Sequence, residues 1–274
     1  MESMTQAAWL AMHPYLQRFA DFHAQVSAAA AGVPVARPHI PDFANYSDDY
    51  MAGIPLLRSS HAAIDFEPAE AFLLSLVESL GSQSLPAKLA DECRLLHAEM
   101  CRETSTPHRA VAWLLDNEAL EPANPGLLHY LGWTALARFL YPLRDAFGIW
   151  REEEQWLRSY CPTCGTLPAM AQLVGSDPGR LRLLSCGRCG TRWRYRRIGC
   201  PFCECADDHR LSALTIAEEK YFRIDYCNSC LAYLKTYSGE GSEPLFLADW
   251  TSLHLDFVAR DRGLKRLAYS LYEL

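Results

Sequence analysis

Eight cysteines of this 274-residue chain fall into four C-x-x-C pairs inside a single stretch: Cys161/Cys164, Cys186/Cys189, Cys200/Cys203 and Cys227/Cys230. Two cysteines separated by two residues can turn both sulfurs inward on one tight knuckle. Two facing knuckles then make a tetrahedral cage of thiolates. The chemistry expected of this pattern is metal binding, with two four-cysteine sites and two metal ions per chain. Spacing does not choose between Fe and Zn, because soft tetrahedral thiolate suits both.

The stretch repeats internally. Residues 161–189 read C-x2-C-x21-C-x2-C and residues 200–230 read C-x2-C-x23-C-x2-C, each opening on Cys-Pro-x-Cys and followed by an aromatic-rich segment. A period of about 40 residues marks two copies of one small module. The repeat favours ligand pairing within modules over an interleaved cross-brace: Cys161, Cys164, Cys186 and Cys189 for one ion, and Cys200, Cys203, Cys227 and Cys230 for the other. Modules of about 30 residues bury too little to fold by themselves. A four-thiolate metal supplies on the order of 10–16 kcal/mol, so the ions are expected to staple the fold, with a redox or metal-donating role as the alternative. Gly165 and Gly190 follow the last cysteine of the first module's pairs and permit the positive φ that a knuckle needs. The second module has Glu204 and Leu231 there instead.

Other reactive residues carry weaker signals. Cys205 reads as a bystander thiol, Cys93 as helix core and Cys101 as inert. His13, His97, His108, His129, His209 and His254 are scattered without ligand spacing and read as capping or packed residues. The acidic run Glu152–Glu154 reads as a solvated helix face. The sequence has no phosphate-binding P-loop, no G-x-G-x-x-G, no nucleophile elbow and no H-E-x-x-H. No enzymatic activity is expected.

The elements that must position these cysteines divide the chain in two. Before residue 157 the pattern is helical. One helix is expected over 5–31 (Met12, Leu16, Phe19, His23, Val26) and a second on Phe72, Leu73, Leu76, Val77 and Leu80. A third is expected after an N-cap at Ser84 and a fourth from Thr106-Pro107. A fifth should start at Asn124-Pro125, kinked or ended by Pro142. Residues 32–64, with Pro34, Pro38, Pro41 and Pro55, read as an irregular arm wrapped on the helices. Residues 181–185 and 221–226 read as strands leading into knuckles, with Trp193, Tyr195, Tyr233 and Tyr237 alternating on the strands that leave them. Residues 247–271 read as a closing helix. The expected fold class is α+β: a helical domain (1–157), two tandem rubredoxin-like or zinc-ribbon modules (158–198 and 199–245) and a C-terminal helix (246–274).

The formal net charge of −7 conceals an asymmetry: residues 158–200 carry eight arginines against the single acid Asp177. A basic block in an acidic protein is either a docking surface or a partner of the protein's own acids. The N-terminus shows no basic start followed by an apolar run, which predicts no secretory signal. The apolar stretch 127–143 is interrupted by His129, Arg138 and Pro142, which argues against a membrane span. A cytoplasmic, reducing location follows as the expectation, and there paired cysteines serve as ligands more often than as disulfides.

The string Tyr160-Cys-Pro-Thr-Cys-Gly-Thr-Leu-Pro168, with Leu181–Trp193, Cys200–Cys203, Tyr226–Lys235 and Asp249–Asp256, resembles the formate dehydrogenase accessory protein FdhE family. The resemblance covers about residues 160–260 well and the helical half weakly. It implies a cytoplasmic maturation factor needed for active respiratory formate dehydrogenase, one that binds the catalytic subunit before export. It also implies a rubredoxin-like C-terminal region in which the eight paired cysteines bind iron. The block Arg188, Arg192, Arg194, Arg196 and Arg197 is the hypothesised partner surface, which the family does not assign. Two alternatives compete. A zinc-ribbon nucleic-acid binder would use Arg192–Arg197 as a stacking platform, against the acidic net charge. A dithiol oxidoreductase would need a free C-x-x-C of low pKa.

Overall fold

The computed structural model describes residues 4–82, 85–176, 179–217 and 219–272. It is α+β, with only helical elements up to Trp150 and, after it, short strands followed by two short helices. The chain forms two compact units, each assembled from separated segments. One comprises Met1–Gln17, Ser47–Arg58 and Glu152–Ser270; the other comprises Arg18–Tyr46, Ser59–Arg151 and Leu271–Leu274. No helix among the described residues is long and apolar enough to cross a membrane.

The helices are α1 (Gln6–Met12), α2 (Gln17–Gly32), α3 (Ser47–Ala52), α4 (Glu67–Ser82), α5 (Ala87–Met100), α6 (Thr106–Leu114), α7 (Pro125–Trp150), α8 (Glu243–Phe246) and α9 (Leu253–Asp261). In the helical unit, α7 starts where Asn124 caps it, its side chain accepting the Leu127 N–H at 3.0 Å, with Pro125 in the first turn. Leu127, Leu131, Ala135 and Phe139 are buried along one stripe. Pro142 does not end the helix, which continues to Trp150. Leu143 and Phe147 are fully buried beyond it, and that packing offsets a proline cost of about 3 kcal/mol. At Gly132 a Cβ would lie 2.3 Å from Leu114 Cδ1, so glycine is what lets α6 and α7 approach.

Other boundaries also differ from the sequence reading. The helix expected over 5–31 breaks at His13-Pro14, with α1 ending at Met12 and a 3-10 turn over Pro14–Leu16. Pro14 has no N–H to donate and its ring opposes the carbonyl four residues back. The N-cap of α6 is Ser105, one residue before Thr106, with no side-chain cap bond. Ser84 lies outside the described residues. The closing helix is short: α9 stops at Asp261, Gly263 adopts φ +73°, and Lys265 pairs with Ala232 as a parallel bridge.

The cysteine-rich unit is built on one six-stranded sheet. Its strands are β1 (Met170–Val174), β2 (Leu181–Ser185), β3 (Arg192–Tyr195), β4 (Leu211–Thr215), β5 (Phe222–Cys227) and β6 (Tyr233–Tyr237), in the order β3-β2-β1-β6-β5-β4. Each module runs knuckle, strand, strand, knuckle, strand. The first strand of one module joins the last strand of the other as a parallel pair, with Met170 opposite Lys235; the remaining pairs are antiparallel. Met170, Ala171, Leu184, Trp193, Phe222, Ile224, Leu234 and Tyr237 are buried on this sheet. Within the arm, residues 47–58 belong to this unit rather than wrapping the helices. The Leu56 and Leu57 N–H groups donate to the Pro162 and Thr163 carbonyls of the first knuckle, both at 2.9 Å.

Candidate metal centre

All four knuckles close with the same backbone bonds. The first cysteine N–H of each pair donates to the carbonyl five residues on: Thr166, Thr191, Cys205 and Ala232, at 2.9–3.0 Å. The residue after the second cysteine donates back to the first cysteine's carbonyl: Gly165, Gly190, Glu204 and Leu231, at 2.8–3.2 Å. This ring demands a left-handed residue, and φ is +82° and +73° at the two glycines, +58° at Glu204 and +60° at Leu231. The second module therefore repeats the first module's geometry without its glycines. Cys205 supplies a knuckle-closing carbonyl, and its sulfur stands 3.8 Å from Ser229 Oγ.

The structure brings the eight paired cysteines into two clusters within modules, Cys161, Cys164, Cys186 and Cys189, and Cys200, Cys203, Cys227 and Cys230. Sulfur–sulfur distances are 3.5 Å (161–189), 3.4 Å (164–186) and 3.7 Å (200–230 and 203–227). Metal–sulfur bonds of about 2.3 Å require a tetrahedron edge of about 3.8 Å, so both clusters are sized for a metal ion. Backbone N–H groups of Arg188 and Cys189 point at Cys186 Sγ, and that of Phe202 at Cys200 Sγ, each at 3.4 Å. Burial pushes the Cys161 and Cys189 thiols well above their usual range. Four thiolates there call for a cation among them. At Cys227 burial acts in the same direction, but the Cys230 and Ser229 N–H groups outweigh it and bring the thiol to about 7. The first cluster is wholly buried; in the second, Cys203 is exposed and Cys230 half-buried. Soft four-sulfur donor sets of this size fit zinc and iron alike.

The arginine block divides. Arg192 donates to the Gln172 side chain, and Arg194 pairs with Glu154 while its backbone N–H donates to Glu153 at 3.0 Å. Residues Glu152–Glu154 form a turn after α7, not a helix face, and two of the three acids serve Arg194. Arg188 lies over the Tyr269 ring at 5.0 Å. Arg196 and Arg197 are exposed. Trp193 and Tyr195 are buried beneath the strand, so the alternating cations and aromatics form no stacking platform.

Two polar clusters had no linear signal. Lys235, 1 % exposed, bonds Asp249 at 2.7 Å and Asp256 at 2.8 Å; Arg266 closes the square on both carboxylates at 2.8 and 2.9 Å. Tyr233 and Ser270 add hydroxyls, so two cations and two anions are neutralised under the sheet. In the second cluster, His13 and His254 converge on Glu219, although the sequence reading treated both histidines as isolated. Burial would raise the Glu219 pKa, but the bonds from His254 and His13 outweigh it and lower it. Their positions 13, 219 and 254 are too far apart for any spacing rule.

The descriptive family match is to the FdhE central domain, over residues 160–197. An FdhE homologue of Aquifex aeolicus (strain VF5) is 23% identical over 252 residues, covering 91% of this chain and 83% of that protein. One from Pseudomonas aeruginosa is 31% identical over 202 residues, covering 68% of this chain and 62% of the relative. The crystal structure of the FdhE protein from Pseudomonas aeruginosa shares the fold, with a TM-score of 0.62 at 24% identity over 95% of this chain and 88% of that one. The matched central segment lies on the first four-sulfur module and the alignments run well beyond it, so the chain is similar to FdhE proteins along most of its length.

Proposed function

We propose that the chain is a cytoplasmic accessory factor in the maturation of respiratory formate dehydrogenase, one that holds the catalytic subunit before export and catalyses no reaction itself. Similarity to FdhE proteins supports the accessory role. The observation that carries the mechanistic part is the closed donor set: each cluster offers four sulfurs, which fill a tetrahedral ion and leave no position for substrate. A bound ion would supply folding free energy and fix the knuckles, so its contribution is to hold a surface in place. Cys161, Cys164, Cys186 and Cys189 would hold one ion, and Cys200, Cys203, Cys227 and Cys230 the other.

Within the basic block, Arg196 and Arg197 are the side chains available for a partner; they leave the sheet between β3 and the second module's first knuckle. Arg188, Arg192 and Arg194 hold the surface from below through Tyr269, Gln172 and Glu154. Affinity capture of a formate dehydrogenase catalytic subunit by the metal-loaded protein tests the reading. Capture is expected. Its reduction by the pair Arg196→Glu and Arg197→Glu, at unchanged metal content and thermal midpoint, is expected of this surface. Undiminished capture by the double variant removes the arginines from the interface, and no capture by the unaltered protein removes the reading.

A further inference from the structure

We propose that His13, Glu219 and His254 form a third metal site, for a first-row divalent cation of intermediate softness, separate in chemistry from the two sulfur cages. His13 follows α1, Glu219 lies in the turn between β4 and β5, and His254 is in α9. His13 Nε2 stands 2.8 Å and His254 Nε2 2.7 Å from the same oxygen, Glu219 Oε1. The two imidazoles stack with centroids 5.0 Å apart, so both rings present the same edge to one point.

Proton accounting favours an ion at that point. A neutral imidazole has one N–H. His13 Nδ1 lies 3.1 Å from the Trp9 carbonyl, an acceptor, and its Nε2 faces a second acceptor, the carboxylate. With the proton on Nδ1, the Nε2 lone pair points at a carboxylate oxygen, an arrangement that a cation relieves. A ring nitrogen donating to a backbone carbonyl while the other binds metal is the usual orientation of a ligating histidine. Glu219 Oε2 and His254 Nδ1 are buried without a hydrogen-bond partner among the described residues. Glu219 and His13 are each 8 % exposed, a costly place for a carboxylate without a compensating cation.

The surroundings hold the donors in place. Trp9 packs on the His13 ring at 3.9 Å, and its indole N–H donates to the Thr251 carbonyl at 3.0 Å, two residues before α9. Two imidazoles and a carboxylate suit zinc, ferrous iron or cobalt(II) better than magnesium or calcium. Three protein donors leave at least one position for water or an added ligand, and the exposed Tyr15 ring packs edge-on against both histidines at 5.7 Å. The site is independent of which client the protein serves.

The test is metal stoichiometry of the full chain. Reconstitution with zinc followed by elemental analysis is expected to give three equivalents per chain. His254→Ala and Glu219→Gln should each lose one equivalent while the intense thiolate-to-cobalt charge-transfer bands of the cobalt(II) form are unchanged. Cadmium-113 spectra of the unaltered chain, which do not depend on any variant folding, should show one resonance far upfield of the two tetrathiolate signals. Two equivalents in the unaltered protein, absence of the upfield resonance, or a third equivalent that survives both substitutions would overturn the site in favour of a hydrogen-bonded imidazolium–carboxylate cluster.

Discussion

Glu204 and Leu231 occupy the left-handed position that Gly165 and Gly190 fill in the first module. A side chain there costs about 1–2 kcal/mol, and glycine would return part of that through extra freedom in the unfolded chain, about 0.4–1 kcal/mol. Glu204→Gly should therefore stabilise the metal-loaded protein by about 0.5–1 kcal/mol, read as a rise in thermal midpoint. Gly165→Ala should cost about 1–2 kcal/mol, because φ is +82° and the new Cβ would stand 3.0 Å from Pro55 Cγ. At Asp249 burial alone would raise the pKa, but Lys235 and Arg266 outweigh it and hold the carboxyl well below the usual range. A carboxyl lowered on folding stabilises fully above its unfolded value of about 3.9. That stability is lost as the pH falls through the folded value. Lys235→Met should cost about 3–5 kcal/mol. It should also move the onset of acid unfolding to higher pH, as denaturant titrations across a pH series would show.

At the scale of elements, the repeat is a unit of construction and not only of sequence. Each module pairs two knuckles across a three-stranded sheet, and β1–β6 fuses the two sheets into one. The modules differ in cover. Residues 47–58 bond the first module's first knuckle, and all four sulfurs of that module are buried, whereas Cys203 is exposed and Cys230 half-buried in the second module. Metal release to a chromophoric chelator should accordingly be biphasic, with the second site leading. A Cys200→Ser/Cys203→Ser variant should lack the fast phase; loss of the slow phase instead would reverse the assignment. Legibility followed the same division. β2, β5 and the strands bearing Trp193 and Tyr233 could be read from alternation beside a knuckle. β1 and β4 could not: Met-Ala-Gln-Leu-Val and Leu-Ser-Ala-Leu-Thr hold few β-branched or aromatic residues, and pairing partners stabilise them.

For the whole molecule, metal loading of the two clusters would change the net charge. Four thiolates around a divalent ion leave −2 per site, so loading two sulfur cages moves the formal charge from −7 to about −11. Ferric ions would leave about −9. Isoelectric focusing of the apo and loaded protein should show an acidic shift on loading, larger for zinc than for ferric iron; no shift would mean that the sulfurs are not all deprotonated ligands. The chain also reaches the cysteine-rich unit three times, through residues 1–17, 47–58 and 152–270. Sequence order therefore understates the size of that unit.

The sequence by itself determined the donors, their grouping into a duplicated module and the helical character of the first half. These are local properties: a C-x-x-C knuckle closes within six residues, and an amphipathic stripe repeats within one turn. Tertiary structure alone decided what depends on distant parts of the chain meeting. It split the expected 5–31 helix at Pro14, sent residues 47–58 to the first knuckle, and returned Lys265 to Ala232 beside the Cys227–Cys230 knuckle. It also divided the arginine block, since Glu154 pairs with the Arg194 side chain and Glu153 accepts its backbone N–H. His13, Glu219 and His254 make the same point most sharply. The two histidines read as packed residues in the linear chain and Glu219 carries no signal there; their common focus exists only after α1, the β4–β5 turn and α9 have converged.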